Sequence, residues 1–127
     1  IKSNGKVIIA SVAGDVHDIG KNLVALMIQS AGFGLEDMGV DVPTEKIVEA
    51  VKTSAPDVLA LSALLTTTRL EIPAIIEALK SAGLREQVKV LVGGAPVTND
   101  FAQESGADGY APDALQAAKA VQTLINA

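Results

Sequence analysis

The chain has 127 residues, enough for one compact domain that buries about two-thirds of its surface. It is 49% hydrophobic but only 2% aromatic, so Val, Ile, Leu and Ala must build the core, and with no Cys it has no disulfide, thiolate zinc site or cysteine nucleophile. A net charge of −5 argues against general nucleic-acid or anionic-membrane binding, which needs clustered positive charge, and no apolar run approaches the roughly 20 residues of a membrane span.

In chain order, short β-branched runs alternate with longer amphipathic stretches. Residues 7–12, Val-Ile-Ile-Ala-Ser-Val, read as a strand and are followed by a helix over 21–31. That helix is expected to turn Leu23, Met27 and Ala31 inward, with Val24 and Ile28 beside them and Gly32 as its stop. A weaker strand over 35–38 leads to a helix capped by Thr44 and running to about Thr53, with Ile47, Val48 and Val51 inward. The third strand is 58–61 and the third helix 70–82, closing at Gly83. The fourth strand, 88–92, precedes a short helix capped by Asn99 or Asp100 and ending at Ser105. A two-residue edge strand, Gly109-Tyr110, precedes a last helix capped by Asp113 and ending near Ile125. The first and third strands lack in/out alternation, which suits parallel strands covered on both faces. Five β-α repeats without a linker predict a single α/β domain over 1–127: a flavodoxin-like (Rossmann-like), doubly wound, five-stranded parallel sheet with helices on both faces. In such sheets ligands bind beyond the carboxyl ends of the strands, near the reversal of strand order.

The unusual residues gather at three of those ends. After the first strand, Gly14-Asp15-Val16-His17-Asp18-Ile19-Gly20-Lys21-Asn22 holds the only His in the chain. A lone loop histidine is most often just solvated, and a glycine-flanked loop is ordinary connection chemistry. The segment is neither a Walker loop, since Asn22 follows Lys21, nor the dinucleotide fingerprint, whose glycine spacing is absent. After the third strand, Ser62-Ala63-Leu64-Leu65-Thr66-Thr67-Thr68 carries four hydroxyls in seven residues. Thr67 or Thr68 suits a helix N-cap, but capping needs only one of them. After the fourth strand, Gly93-Gly94 makes a turn or lets a large ligand lie against bare backbone.

Taken together, these segments resemble the cobalamin-binding domain of methionine synthase and of the corrinoid proteins in methanol- and methylamine-type methyltransferase systems. That family carries Asp-x-His-x-x-Gly, Ser-x-Leu and Gly-Gly, which stand here as Asp15-x-His17-x-x-Gly20, Ser62-x-Leu64 and Gly93-Gly94. Forty-one residues separate Gly20 from Ser62 and 28 separate Leu64 from Gly93, matching the family's spacing. The likeness spans about residues 6–114.

The resemblance implies a cobamide, cobalt-containing, bound with its lower base detached and threaded into a pocket of the protein. By that resemblance His17 is the axial cobalt ligand through Nε2, and Asp15 accepts a hydrogen bond from the other ring nitrogen. Thr68, a threonine where methionine synthase has serine, completes a relay of Asp15, His17 and Thr68. Gly14, Val16, Asp18, Ile19 and Gly20 would complete the loop against the cofactor. Ser62 and Thr66 would line the nucleotide tail, Leu64 and Thr67 would also bind the cofactor, Gly93 and Gly94 would pass beside the tail, and Tyr110, Ala111 and Ala114 would close the far wall. Lys21 and Asn22 would open the next helix. The implied function is to carry a methyl group on cobalt between methyltransferase partners in the cytoplasm, as a carrier and not a complete enzyme. A helical cap over the corrin is expected from an upstream segment or another chain, since the sequence opens at Ile1 rather than Met and contains no such cap.

Two other readings compete. The cobalamin domain of an adenosylcobalamin-dependent mutase shares the histidine motif, but Thr66-Thr67-Thr68 resembles the methyl-transfer proteins more. A receiver-like signalling domain has the same fold, yet requires an Asp where Ser62 stands and a Lys where Tyr110-Ala111-Pro112 stands, so it is rejected.

Overall fold

The β-branched runs pair side by side in a computed structural model that describes residues 5–126, so both ends of the expected 1–127 domain lie outside the described residues. The strands are β1 (Lys6–Ser11), β2 (Gly34–Asp37), β3 (Val58–Ser62), β4 (Lys89–Gly93) and β5 (Gly109–Tyr110). They form one sheet in the order β2-β1-β3-β4-β5, every pair parallel. The order reverses across β1, with β2 on one side and β3 to β5 on the other, so the loops after β1 and β3 flank the switch point.

The connecting helices are α1 (Ile19–Ser30), α2 (Thr44–Ser54), α3 (Glu71–Ser81, entered through a 3-10 turn at Thr68–Leu70), α4 (Asn99–Ser105) and α5 (Ala114–Ile125). Alternate strand residues feed two cores. Ile8, Ala10, Leu59, Leu61, Val90 and Val92 pack with Ile47, Ile72, Ile75 and Leu79 on the α2/α3/α4 face. Val7, Ile9, Val58, Ala60 and Leu91 pack with Ala25, Ile28, Ala117 and Val121 under α1 and α5. Small alanines (Ala25, Ala60, Ala111 and Ala117) recur in the second set, and that layer does not close completely.

Several local expectations are corrected. The inward face of α1 is Lys21, Ala25 and Ile28, while Leu23 and Ala31 are exposed and Met27 is half-buried. Lys21 can face inward because its ammonium finds a carboxylate: Nζ donates to both Asp37 oxygens at 2.8 and 2.7 Å and to Asn22 Oδ1 at 2.7 Å. Thr44 opens α2 without capping it, Pro43 standing at the cap position. Thr98, not Asn99 or Asp100, caps α4 by accepting from the Phe101 N–H. Asp113 caps α5 as expected, accepting from Gln116 at 2.8 Å. Among the described residues no helix is long and apolar enough to cross a membrane.

Candidate functional site

The loop after β1 is built around Asp15. β1 ends at Ser11, Val12 N donates to Ser62 O, and the chain loops outward before α1 begins at Ile19. Asp15 nevertheless keeps only 1% of its surface exposed. Its Oδ2 accepts from Leu64 N at 2.6 Å and from Thr68 Oγ1 at 3.0 Å. Its Oδ1 accepts from His17 N at 3.1 Å and stands 3.2 Å from His17 Nδ1. One carboxylate thus joins the loops after β1 and β3. Burial alone would raise the pKa of the Asp15 carboxyl, but the N–H groups of Leu64 and His17, the Thr68 hydroxyl and the His17 ring outweigh it and hold it below the usual range.

The consequence falls on His17. An ionised carboxylate only accepts, so the tautomer it selects for the neutral ring has its hydrogen on Nδ1 and its lone pair on Nε2. The side chain is 51% exposed. Ser11, fully buried, holds the loop from below by donating from Oγ to His17 O at 3.2 Å. Thr68 does not cap a helix with its side chain. Its hydroxyl accepts from Leu65 N at 3.1 Å and donates to Asp15.

Beside this loop lies a cleft of about 360 Å³ between the sheet and helices α1 and α5, within the size of small-molecule sites. Gly20, Ser62, Leu64, Gly93, Gly94, Ala111 and Ala114 line it. Ala60 and Ala117 deepen it, because nothing larger fills the layer there. The paired glycines serve this shape through the protein's own packing. Gly94 has φ +126°, and a Cβ there would fall inside the Ala63 carbonyl, while one on Gly93 would come within 2.9 Å of Ala111 O.

The structure therefore brings Asp15, His17 and Thr68 into one hydrogen-bonded cluster beside the cleft. Gly14, Val16, Asp18, Ile19, Thr66 and Thr67 are exposed on the rim and do not line it. Tyr110 is corrected: it packs on the opposite, α2/α3/α4 face of the sheet, because successive strand residues alternate, and only its neighbour Ala111 faces the cleft. The sequence reading missed Leu23, Pro112 and Asp113 at the cleft, and Ser11 and Asp41 around the loop. Their types carry no chemical signal, and only three-dimensional adjacency finds them.

Among the described residues no group of three or more His, Cys, Asp or Glu gathers. His17 would therefore be a single donor, which suits a group that brings its other metal ligands with it, and the apolar cleft nearby could take an organic extension of the same molecule.

The comparisons agree with this geometry. The family model described as the B12 binding domain matches residues 5–119. The trimethylamine corrinoid protein of Methanosarcina barkeri is 50% identical over 125 residues, covering 98% of this chain and 58% of the relative. A crystal structure of a cobalamin-binding protein from Desulfitobacterium hafniense superposes with a TM-score of 0.92 at 38% identity, over 96% of this chain and 59% of that one. The methanol:cobalamin methyltransferase complex of Methanosarcina barkeri gives a TM-score of 0.91 at 33% identity, over 98% of this chain and 48% of that one. The chain spans under two-thirds of the length of each. By the extent of the family match and by its fold, the chain belongs to the B12-binding domain family.

Proposed function

We propose that this chain holds a cobamide with His17 as its lower axial ligand and its nucleotide tail in the cleft beneath Gly93 and Gly94, and that it carries a methyl group between methyltransferase partners. The observation that carries the reading is the buried Asp15 carboxylate, which ties the half-exposed His17 ring through Nδ1, in the same loop whose end at Gly20 lines an apolar cleft. When bound, the cobamide supplies the methyl-transfer chemistry at cobalt.

The chain's own residues do the rest. Asp15 keeps the hydrogen on Nδ1 and increases the donor strength of the ring. Thr68 and the Leu64 N–H fix Asp15, so the ring is oriented before any ligand arrives. Ser62, Leu64, Gly93, Gly94, Ala111 and Ala114 would hold the tail, and the exposed rim of Gly14, Val16, Asp18, Ile19, Thr66 and Thr67, with Gly20 where the rim meets the cleft, would lie against the corrin. On this reading the chain would act as a carrier within a cytoplasmic methyltransferase system. A helical cap over the open face would come from a further segment or another chain. The mutase reading gains nothing from the comparisons, whose relatives are named for trimethylamine and methanol systems.

The test is the visible spectrum of the purified chain loaded with a methylated cobamide, with His17→Ala run beside it. The wild type should show a detached lower base with histidine on cobalt. The variant should keep cobamide through the cleft and lose that ligation. Unchanged cobalt coordination in the variant would remove His17 from the site.

A further inference from the structure

The end of β2 contributes nothing to the reading above, yet its continuation runs alongside the histidine loop. Ser11 N donates to Gly39 O, Val42 N donates to Ser11 O, and Val12 pairs with Val42 in a short parallel bridge. Between these contacts stands Asp41, with φ +51°, one of two non-glycine residues in the left-handed region among the described residues. Aspartate tolerates that region better than most side chains, but it still carries a cost there.

Asp41 closes a reciprocal pair of bonds on the loop. Its Oδ1 accepts from Gly14 N at 2.7 Å, and its own N–H donates to Asp15 O at 2.7 Å. Gly14 in turn packs beside the Thr68 methyl, where an added Cβ would sit 3.4 Å away. The backbone on both sides of the peptide link between Gly14 and Asp15 is thus held from outside, by a residue 26 positions beyond Asp15 in the chain. The other end of the same segment is anchored too. Asp37 accepts from Gly39 N and from the buried Lys21 at the start of α1.

We propose that Asp41 is a positioning residue for the axial histidine: its carboxylate clamps Gly14 and thereby sets Asp15 so that the His17 ring points its free nitrogen at the ligand. This rests on His17 being the ligand. The left-handed backbone is retained because it lets the side chain and the N–H of one residue grip consecutive residues of the loop.

The test compares Asp41→Asn, which keeps an oxygen acceptor and tolerates the same backbone, with Asp41→Gly, which suits φ +51° and removes the acceptor. In the apo chain, the Gly14 amide should stay protected from hydrogen exchange in wild type and D41N and exchange at least roughly tenfold faster in D41G, the weight of one hydrogen bond. In the cobamide-loaded chain, D41G should still hold cobamide through the cleft. Its ratio of histidine-ligated to unligated cobalt should fall about two- to tenfold, again the weight of one hydrogen bond, and D41N should restore it. Wild-type protection and ligation in D41G would overturn the proposal, as would equal losses in D41N and D41G. A wild type that shows no histidine ligation would instead overturn the functional reading, while the apo exchange measurement would still report on the clamp.

Discussion

Asp15→Asn changes one atom and tests the whole arrangement. The carboxylate presents two oxygens to four donors: Leu64 N at 2.6 Å and Thr68 Oγ1 at 3.0 Å on one side, His17 N at 3.1 Å and His17 Nδ1 at 3.2 Å on the other. An amide keeps one oxygen, so one side must face an NH2 group. The shortest bond decides which: the oxygen stays with Leu64 and Thr68, and the NH2 turns towards His17. The ring can answer by becoming an acceptor at Nδ1, which moves its hydrogen to Nε2. The His17 N–H has no such escape and is left without a partner. Losing the charge from two bonds, at roughly 1 kcal/mol each, and stranding a donor, at about 1–3 kcal/mol, is partly offset by relief of the buried charge. The net loss is about 2–4 kcal/mol, or roughly 8–15 °C in melting temperature for a domain of this size. Urea denaturation of the apo chain at pH 7 measures the first effect, and nitrogen-15 NMR of the His17 ring measures the second. In the loaded chain, histidine ligation should be lost with the Nε2 lone pair. An unchanged urea midpoint and slope, with the ring hydrogen still on Nδ1, would refute the reasoning.

Gly94→Ala should destabilise the apo chain by more than about 3 kcal/mol, because its Cβ would occupy the Ala63 carbonyl and φ +126° is closed to alanine; a melting curve reports it. Gly20→Ala, inside α1 with nothing within 4 Å of the new methyl, should stabilise the same chain by about 0.5–1 kcal/mol. Thr68→Val should cost about 1–3 kcal/mol by leaving Leu65 N and one Asp15 position unpaired, and Thr68→Ser should recover most of it in the same denaturation assay. The folded chain holds the Asp15 pKa below its ordinary 3.8, so the unfolded chain binds more protons in that range. The contribution of Asp15 to stability is therefore complete above pH 3.8 and is lost as pH falls through the lower folded value. The urea midpoint should drop more between pH 7 and pH 3 in the wild type than in Asp15→Asn, and parallel drops would contradict it.

The layered architecture was legible because parallel strands buried on both faces have to be continuous apolar runs. Val7-Ile8-Ile9-Ala10 and Val58-Leu59-Ala60-Leu61 leave no other assignment. The site was legible in part for the same reason: topology places the ends of β1, β3 and β4 together, and the odd residues are at those ends. What failed was inference from single side chains. The inward turn of Lys21 defeats periodicity, since a charged residue reads as outward until Asp37 and Asn22 come into reach from β2 and the neighbouring position. Tyr110 and Ala111 differ by one residue and therefore by one face of the sheet, and a two-residue strand carries no pattern from which to choose. Asp41 has no motif, and its importance lies in a φ angle and two hydrogen bonds to residues distant in sequence.

The arrangement of Asp15 also couples folding to the readiness of the site. The Oδ2 contacts cross from the first loop to the third and stabilise the fold, while the Oδ1 contacts orient the histidine. The carboxylate cannot rotate to improve one set without breaking the other. The orientation of the His17 ring is therefore fixed by bonds that also stabilise the apo domain, and little ordering of that ring would be left for a ligand to supply. Surrounding side chains stay free to vary, since Val16, Ile19, Thr66 and Thr67 support no such network and lie exposed.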